Sequence, residues 1–107
     1  MEGTQTYTLL VPNSFHKQLR KLTPKDRNKI MLIMDKLEPY ILHKNKIPPE
    51  SDLRIYDWHQ LVDNPNTWDF HSGAYTVVFK YDDINLQVRA VEVASYGNSS
   101  VHKANSR

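Results

Sequence analysis

Between Thr67 and Ser95, a carboxylate, an imidazole and two cations recur at spacings that place them on one side of a small sheet. Residues two apart in a strand share a face, so Asp69 goes with His71, Thr76 with Val78 and Lys80, and Gln87 with Arg89. Imidazole exchanges protons near neutrality, guanidinium holds two oxygens of an oxyanion, and ammonium adds a point charge. Such a set suits proton transfer beside an anion. The same pattern also describes a solvated sheet face, on which His71 meets water, Arg89 pairs with Asp69 and Lys80 pairs with the Asp82-Asp83 turn. Glu92 is a further carboxylate for proton abstraction, provided a bulge near Ala90 turns it outward and returns Val91 or Val93 to the apolar side. Tyr96 is a ring for stacking on a base or for anchoring the tail.

These residues need a sheet to carry them. The chain from Thr67 predicts three antiparallel strands with tight turns at Ser72-Gly73 and Asp82-Asp83. Phe70 then faces Tyr75, Tyr81 faces Ile84, and Phe79, Val77 and Tyr75 face Leu86, Val88 and Ala90. In that register Arg89 lies across from Thr76, at the centre of the polar face. The apolar face requires a cover.

The first half supplies one. Thr6 to Val11 predicts a short strand, and Asn13 caps a helix to about Leu22 that buries Phe15, Leu19 and Leu22. His16, Lys17, Gln18, Arg20 and Lys21 cover its outer surface. Thr23 caps a second helix, with Pro24 at its first position and Asp26 answering the exposed amides. Its stripe is Ile30, Ile33, Met34 and Leu37, widened by Met31 and Leu32, with Met31 and Met34 as core filling, and Pro39 predicts an end near Glu38. Residues 39–66 carry four prolines and predict an irregular wrap, or a helical turn over Asp57 to Val62. Trp68 belongs under the helices, and Trp58 is the more exposed of the two tryptophans.

The expected fold is α+β: an N-terminal strand and a two-helix hairpin covering one face of a mainly antiparallel sheet of about four strands. Residues 1–107 form one domain with flexible ends at 1–5 and 98–107. With no cysteine, disulfides, thiol catalysis and the usual zinc sets are excluded, and the five histidines lack a metal-binding spacing, so no metal or cofactor is expected. No stretch has transmembrane length, and the composition fits a cytoplasmic protein. Residues 1–49 hold nine Lys or Arg against four acids, and residues 50–107 hold five against eight. That basic half suits an acidic partner or nucleic acid, and equally a lysine-rich soluble surface.

The run Pro12-Asn13-Ser14-Phe15-His16-Lys17-Gln18-Leu19-Arg20-Lys21-Leu22 and the hairpin from Phe70 through Gly73 and Tyr75 to Phe79 are similar to those of the RelE/ParE-type toxins of bacterial toxin–antitoxin systems. The resemblance covers about residues 6–96. It implies a RelE-like fold and a ribosome-dependent messenger-RNA endonuclease silenced by a cognate antitoxin. Cleavage by attack of a 2′-hydroxyl needs a proton acceptor, a proton donor and positive charge on the phosphate. Arg89 is the expected phosphate clamp and His71 the proton carrier, with Lys80, Tyr96 and Glu92 as further catalytic candidates. Thr76 stands where these nucleases commonly have arginine, and Ala94-Ser95-Tyr96 replaces a basic ending. Those departures point to the alternative, a non-nuclease of the same fold that poisons DNA gyrase or only binds protein. Lys17, Arg20, Lys21 and Lys25 are the expected antitoxin contacts. In a plain RNA-binding reading the contacts are Lys17, Lys21, Lys25, Arg27, Lys29 and Lys36.

Overall fold

The position and length of the turns decide how the strands pair, and the first turn differs from expectation in position and the second in length. The structure, a computed structural model, describes residues 6–44, 46 and 57–95. Its elements are β1 (Thr8–Leu10), α1 (Asn13–Arg20), α2 (Pro24–Leu42), β2 (His59–Leu61), β3 (Asn64–Ser72), β4 (Tyr75–Asp82) and β5 (Gln87–Ser95). The five strands form one sheet in the order β1-β5-β4-β3-β2, antiparallel except for the parallel pair β1–β5. The fold is α+β, as expected, with β2 added at the edge. The helical turn considered for Asp57 to Val62 is absent, because His59 to Leu61 pair with β3 instead.

The first hairpin turns one residue later than expected, on Gly73-Ala74. Gly73 takes the positive φ of 59° that the first central position of a type II′ turn requires. Phe70 therefore pairs with Val77, and His71 with Thr76. The β4–β5 connection spans Asp83 to Leu86, four residues instead of two. Asp82 organises it by accepting from the Ile84 and Asn85 amides at 3.0 and 3.1 Å and from the Asn85 side chain at 2.8 Å. Ile84, expected opposite Tyr81, is thereby exposed, and Val88 takes its place. Both shifts are even, so the two faces keep their expected residues.

Of the two readings open for the end of the last strand, a bulge or a strand covered on both faces, the bulge is the one present. Pairing slips between Val78 and Phe79, leaving Val91 as the extra residue, after which Val93 returns to the core and Glu92 turns outward opposite Val78. Gln18, expected on the wet side of α1, plugs it: the Val93 amide donates to Gln18 Oε1 at 2.7 Å and Gln18 Nε2 donates to the Val91 carbonyl at 3.4 Å.

Beneath the sheet, Phe15, Leu19, Ile30, Ile33, Leu37 and Ile41 pack with Phe70, Val77, Phe79, Tyr81, Val88 and Ala90. Trp58 is buried, against expectation, stacked on Trp68 with ring centroids 5.1 Å apart and edge-on to Phe79 at 5.6 Å. Of the two methionines expected to fill the core, Met34 packs against it while Met31 is 47 % exposed, and Leu32 beside it is 56 % exposed. Asn13 is the first helical residue of α1 and makes no side-chain cap, whereas Thr23 caps α2 as expected, accepting from the Asp26 amide at 3.1 Å. Contrary to expectation, α2 runs through Pro39 to Leu42. One lost ladder bond is offset by burial of Ile41 and by two carbonyl contacts. The Tyr81 hydroxyl donates to the Ile41 carbonyl at 2.6 Å, and the Tyr7 amide donates to that of Leu42 at 2.8 Å.

The end of α2, β1 and the β4–β5 turn meet at Asp83. It accepts from the Tyr7 hydroxyl at 2.6 Å and from Lys44 Nζ at 3.0 Å, and Lys44 also reaches Asn66 Oδ1 at 2.7 Å. The Tyr7 hydroxyl and Lys44 hold the Asp83 carboxyl below its ordinary range. Burial, together with the Asp83 carboxylate, pushes Tyr7 up to about 12. The Asp83 contribution to stability is complete above the ordinary carboxylate range and is lost as pH falls through the lowered folded value. That of Tyr7 is complete below the ordinary phenol range and is lost as pH rises toward about 12. Asp83→Asn should flatten both limbs of a pH–stability curve measured by urea unfolding; unchanged limbs would contradict this.

Gln18→Ala leaves the half-buried polar groups of the bulge without their partner. It should destabilise by about 1–3 kcal/mol in urea unfolding and accelerate hydrogen exchange at the Val93 amide.

Candidate functional site

On the sheet face away from the helices, cross-strand pairing builds rows. His71, Thr76 and Ala94 make one, His59, Asp69, Val78 and Glu92 the next, and Lys80 and Arg89 a third. Asp69, Thr76 and Val78 are buried, so this face is not open over its middle as expected.

Arg89 is not at the centre. The four-residue turn moves it opposite Lys80, beside Leu10 of β1. Two strand spacings and four residues of rise put it roughly 16 Å from His71. Its expected ion pair with Asp69 is absent for the same reason. Lys80 does not pair with the Asp82-Asp83 turn either, because Asp82 holds the turn amides and Asp83 holds Lys44. Among the described residues neither Lys80 nor Arg89 forms an ion pair, although they face each other across the ladder and like charges so placed repel. With Leu10, Asp82, Gln87 and Val91 they line a groove of about 190 Å³. Two cations and one carboxylate thus border that groove.

At the other end, Asp57, His59, Asp69 and His71 form a closed ring of alternating acid and imidazole. His59 Nε2 lies 3.2 Å from Asp69 Oδ1, and His71 Nδ1 lies 3.0 Å from Asp57 Oδ2. The diagonal approaches are 3.6 Å for His59 Nδ1 to Asp57 Oδ1 and 3.9 Å for His71 Nε2 to Asp69 Oδ2. Sequence reasoning found Asp69 and His71 but missed Asp57 and His59. The signal was present, because Asp57-Trp58-His59 repeats the spacing of Asp69-Phe70-His71. Among the described residues no group of three or more His, Asp or Glu side chains is arranged to hold a metal ion.

Glu92 is half-buried, separated from Asp69 by Val78. Tyr96 lies outside the described residues, as do the ends 1–5 and 98–107. Lys17, Arg20, Lys21, Lys25, Lys29 and Lys36 are exposed and Arg27 is half-buried. All seven belong to the helical layer or its α1–α2 connection, across the sheet from Lys80 and Arg89. Between the helices, Val11, Phe15, Leu19, Met31 and Met34, with His16 and Asp35, line an apolar groove of about 130 Å³. Among the described residues no helix is long and apolar enough to cross a membrane.

The sequence matches no protein-family model and no curated protein. Solved structures do match. The isolated E. coli RelE toxin superposes with a TM-score of 0.57 at 19% identity, over 92% of this chain and 94% of that one. A chain of the archaeal RelE–RelB complex from Pyrococcus horikoshii gives 0.58 at 17% identity, over 89% and 100%. The chain has the RelE-type fold. A chain of the RelB–RelE antitoxin–toxin complex from Methanococcus jannaschii is similar too, at 0.54 and 20% identity, over 80% of this chain and 88% of that one.

If the Lys80–Arg89 pair awaits an anion, removing one cation should relieve repulsion. Lys80→Ala should stabilise the protein by roughly a few tenths of a kcal/mol at low salt. Inorganic phosphate should raise the Tm of the wild type more than that of a Lys80→Ala/Arg89→Ala double variant, and equal shifts would refute the site.

Proposed function

We propose that this chain is the toxin of a toxin–antitoxin pair and cleaves messenger RNA on the ribosome. The observation that carries the reading is a RelE-type fold bearing Lys80 and Arg89, without an ion pair among the described residues, on the same sheet face as two imidazoles. The cleavage is attack of a 2′-hydroxyl on the adjacent phosphate. Lys80 and Arg89 hold the RNA backbone at one end of the face, the guanidinium taking two phosphate oxygens. The register separates them from His71, so they grip a neighbouring part of the strand and leave the reacting phosphate to the imidazole end. The ribosome presents the message, and the toxin itself reads little sequence.

The partner is a cognate antitoxin. Solved structures of the same fold include complexes with RelB. Here the groove between α1 and α2, flanked by exposed Met31 and Leu32, offers apolar anchors, and Lys17, Arg20, Lys21 and Lys25 meet acidic residues. With no membrane-crossing helix among the described residues, the proposed place of action is the cytoplasm.

Expression in cells, followed by primer extension, tests the reading. A translated message should be cut and the same message without its start codon spared, with growth restored by the product of the adjacent gene. Arg89→Ala should weaken binding and reduce its salt dependence while leaving the saturated single-turnover rate within a few fold. Equal cutting of both messages, or none by folded protein, would rule the reading out.

A further inference from the structure

β1 is an edge strand, and one side of its backbone is unanswered. The Thr8 amide donates to the Leu86 carbonyl at 2.9 Å, and Thr8 and Leu10 lie beside Gln87 and Arg89. In a parallel ladder alternate residues carry the bonds to the neighbouring strand. Thr8 and Leu10 therefore serve β5, and the amide and carbonyl of Leu9 point the other way. The Tyr7 amide on that side is closed off by the Leu42 carbonyl at 2.8 Å. Among the described residues no hydrogen bond reaches the outward backbone of Leu9 or Val11. An edge with unmet donors and acceptors is a template for one more strand.

The two sides of that edge differ in chemistry. Leu10 faces away from the helices and borders, with Lys80, Asp82, Gln87 and Arg89, the groove of about 190 Å³. Val11 faces the helices and borders, with Phe15, Leu19, Met31 and Met34, the apolar groove of about 130 Å³. Leu9, of the same parity as Val11, packs against the core. One strand laid along β1 points alternate side chains toward the two grooves. We infer that β1 is the docking edge for an extended segment of the antitoxin in which acidic and apolar residues alternate, an inference resting on the toxin–antitoxin reading above.

Charge chooses the occupant. A strand added beyond β1 stands two spacings from β5, about 9.6 Å, a gap that a glutamate and Arg89 span between them. Lys80 is one strand farther and adds longer-range attraction. Two cations against one carboxylate leave the groove a place for one more acid. A second copy of this chain, paired edge to edge, brings only Thr6 to Val11, which holds no acid, and sets uncharged side chains against Arg89. On the helix side, an apolar residue covers part of Met31, which is 47 % exposed. An acid docked on Arg89 also occupies a cation assigned above to the RNA backbone, so the docked segment and the message compete.

The test uses the product of the adjacent gene, co-purified with this chain, and hydrogen exchange read by NMR at single amides. In the free monomer the Leu9 and Val11 amides should exchange faster than those of Thr8 and Leu10. With the partner at 100 times its Kd, the Leu9 amide should slow by about 100-fold. Arg89→Glu should weaken the complex about fivefold or more, and changing one acid of the docked segment to lysine should restore it. A partner that binds with the Leu9 amide still fast, or with Arg89→Glu without effect, would overturn the inference and leave the antitoxin reading standing. Slow exchange at Leu9 in the free monomer would overturn it as well. So would slowing as the free chain is concentrated, which makes a second copy the occupant. A folded chain that retains no product of the adjacent gene removes the antitoxin reading and the inference together.

Discussion

The amide of Gln18 in the bulge of β5 is the contact on which the sheet's two faces depend. Up to Ala90 the strand alternates in step with β4, and after Val91 it alternates in the opposite phase. Without the extra residue, Val93 would point out and Glu92 would point into the core. A bulge leaves backbone groups that the ladder no longer satisfies, and in a half-buried place each would cost about 1–3 kcal/mol. One side chain on α1 answers two of them, donating to Val91 and accepting from Val93. The same contact docks α1 against β5. Gln60 does comparable work at the other irregularity, donating to the Pro65 carbonyl at 2.7 Å where β3 loops out opposite β2. Two glutamine amides therefore stand where the ladders slip.

Which residues face the helices was legible in the sequence, and how far along the strands they sit was not. The reason is the period of two. Moving the first hairpin by two residues and the second by four leaves Phe70, Val77, Phe79, Tyr81 and Val88 in the core. Apolar alternation cannot distinguish those registers, since only turn chemistry separates them. Asp82 accepting from Asn85 and Ile84 makes a four-residue turn as natural as a two-residue one. That difference carried Arg89 from the middle of the face to its end. The α2 helix shows a second limit: Pro39 argues for a stop locally, and only the burial of Ile41 against the distant sheet overrides it.

Polar contacts between distant segments were the least legible. Gln18 on a helix otherwise bordered by His16, Lys17, Arg20 and Lys21 looks solvated, because nothing in its own neighbourhood announces Val93, 75 positions away. Asp57 and His59 lie in a stretch without helical or strand periodicity, so the match between their spacing and that of Asp69 and His71 was the sole clue. A repeated pair of polar residues at strand spacing, with an aromatic between them, proved as informative as hydrophobicity.

The separation of the two ends of the face is itself an electrostatic arrangement. An anion drawn to Lys80 and Arg89 meets two cations opposite each other across the ladder, with the Asp82 carboxylate at the edge of their groove, and their mutual repulsion adds to its welcome. Drawn instead to the Asp57–Asp69 ring, it meets carboxylates that repel unless the imidazoles hold protons. The register therefore keeps the permanent charges of Lys80 and Arg89 at a distance from the imidazoles. Had the two-residue turn formed, Arg89 would stand in the row of His71 and Thr76 and would pair with the acids beside it, neutralising the cation and pinning the carboxylates. The four residues from Asp83 to Leu86 keep the two chemistries apart.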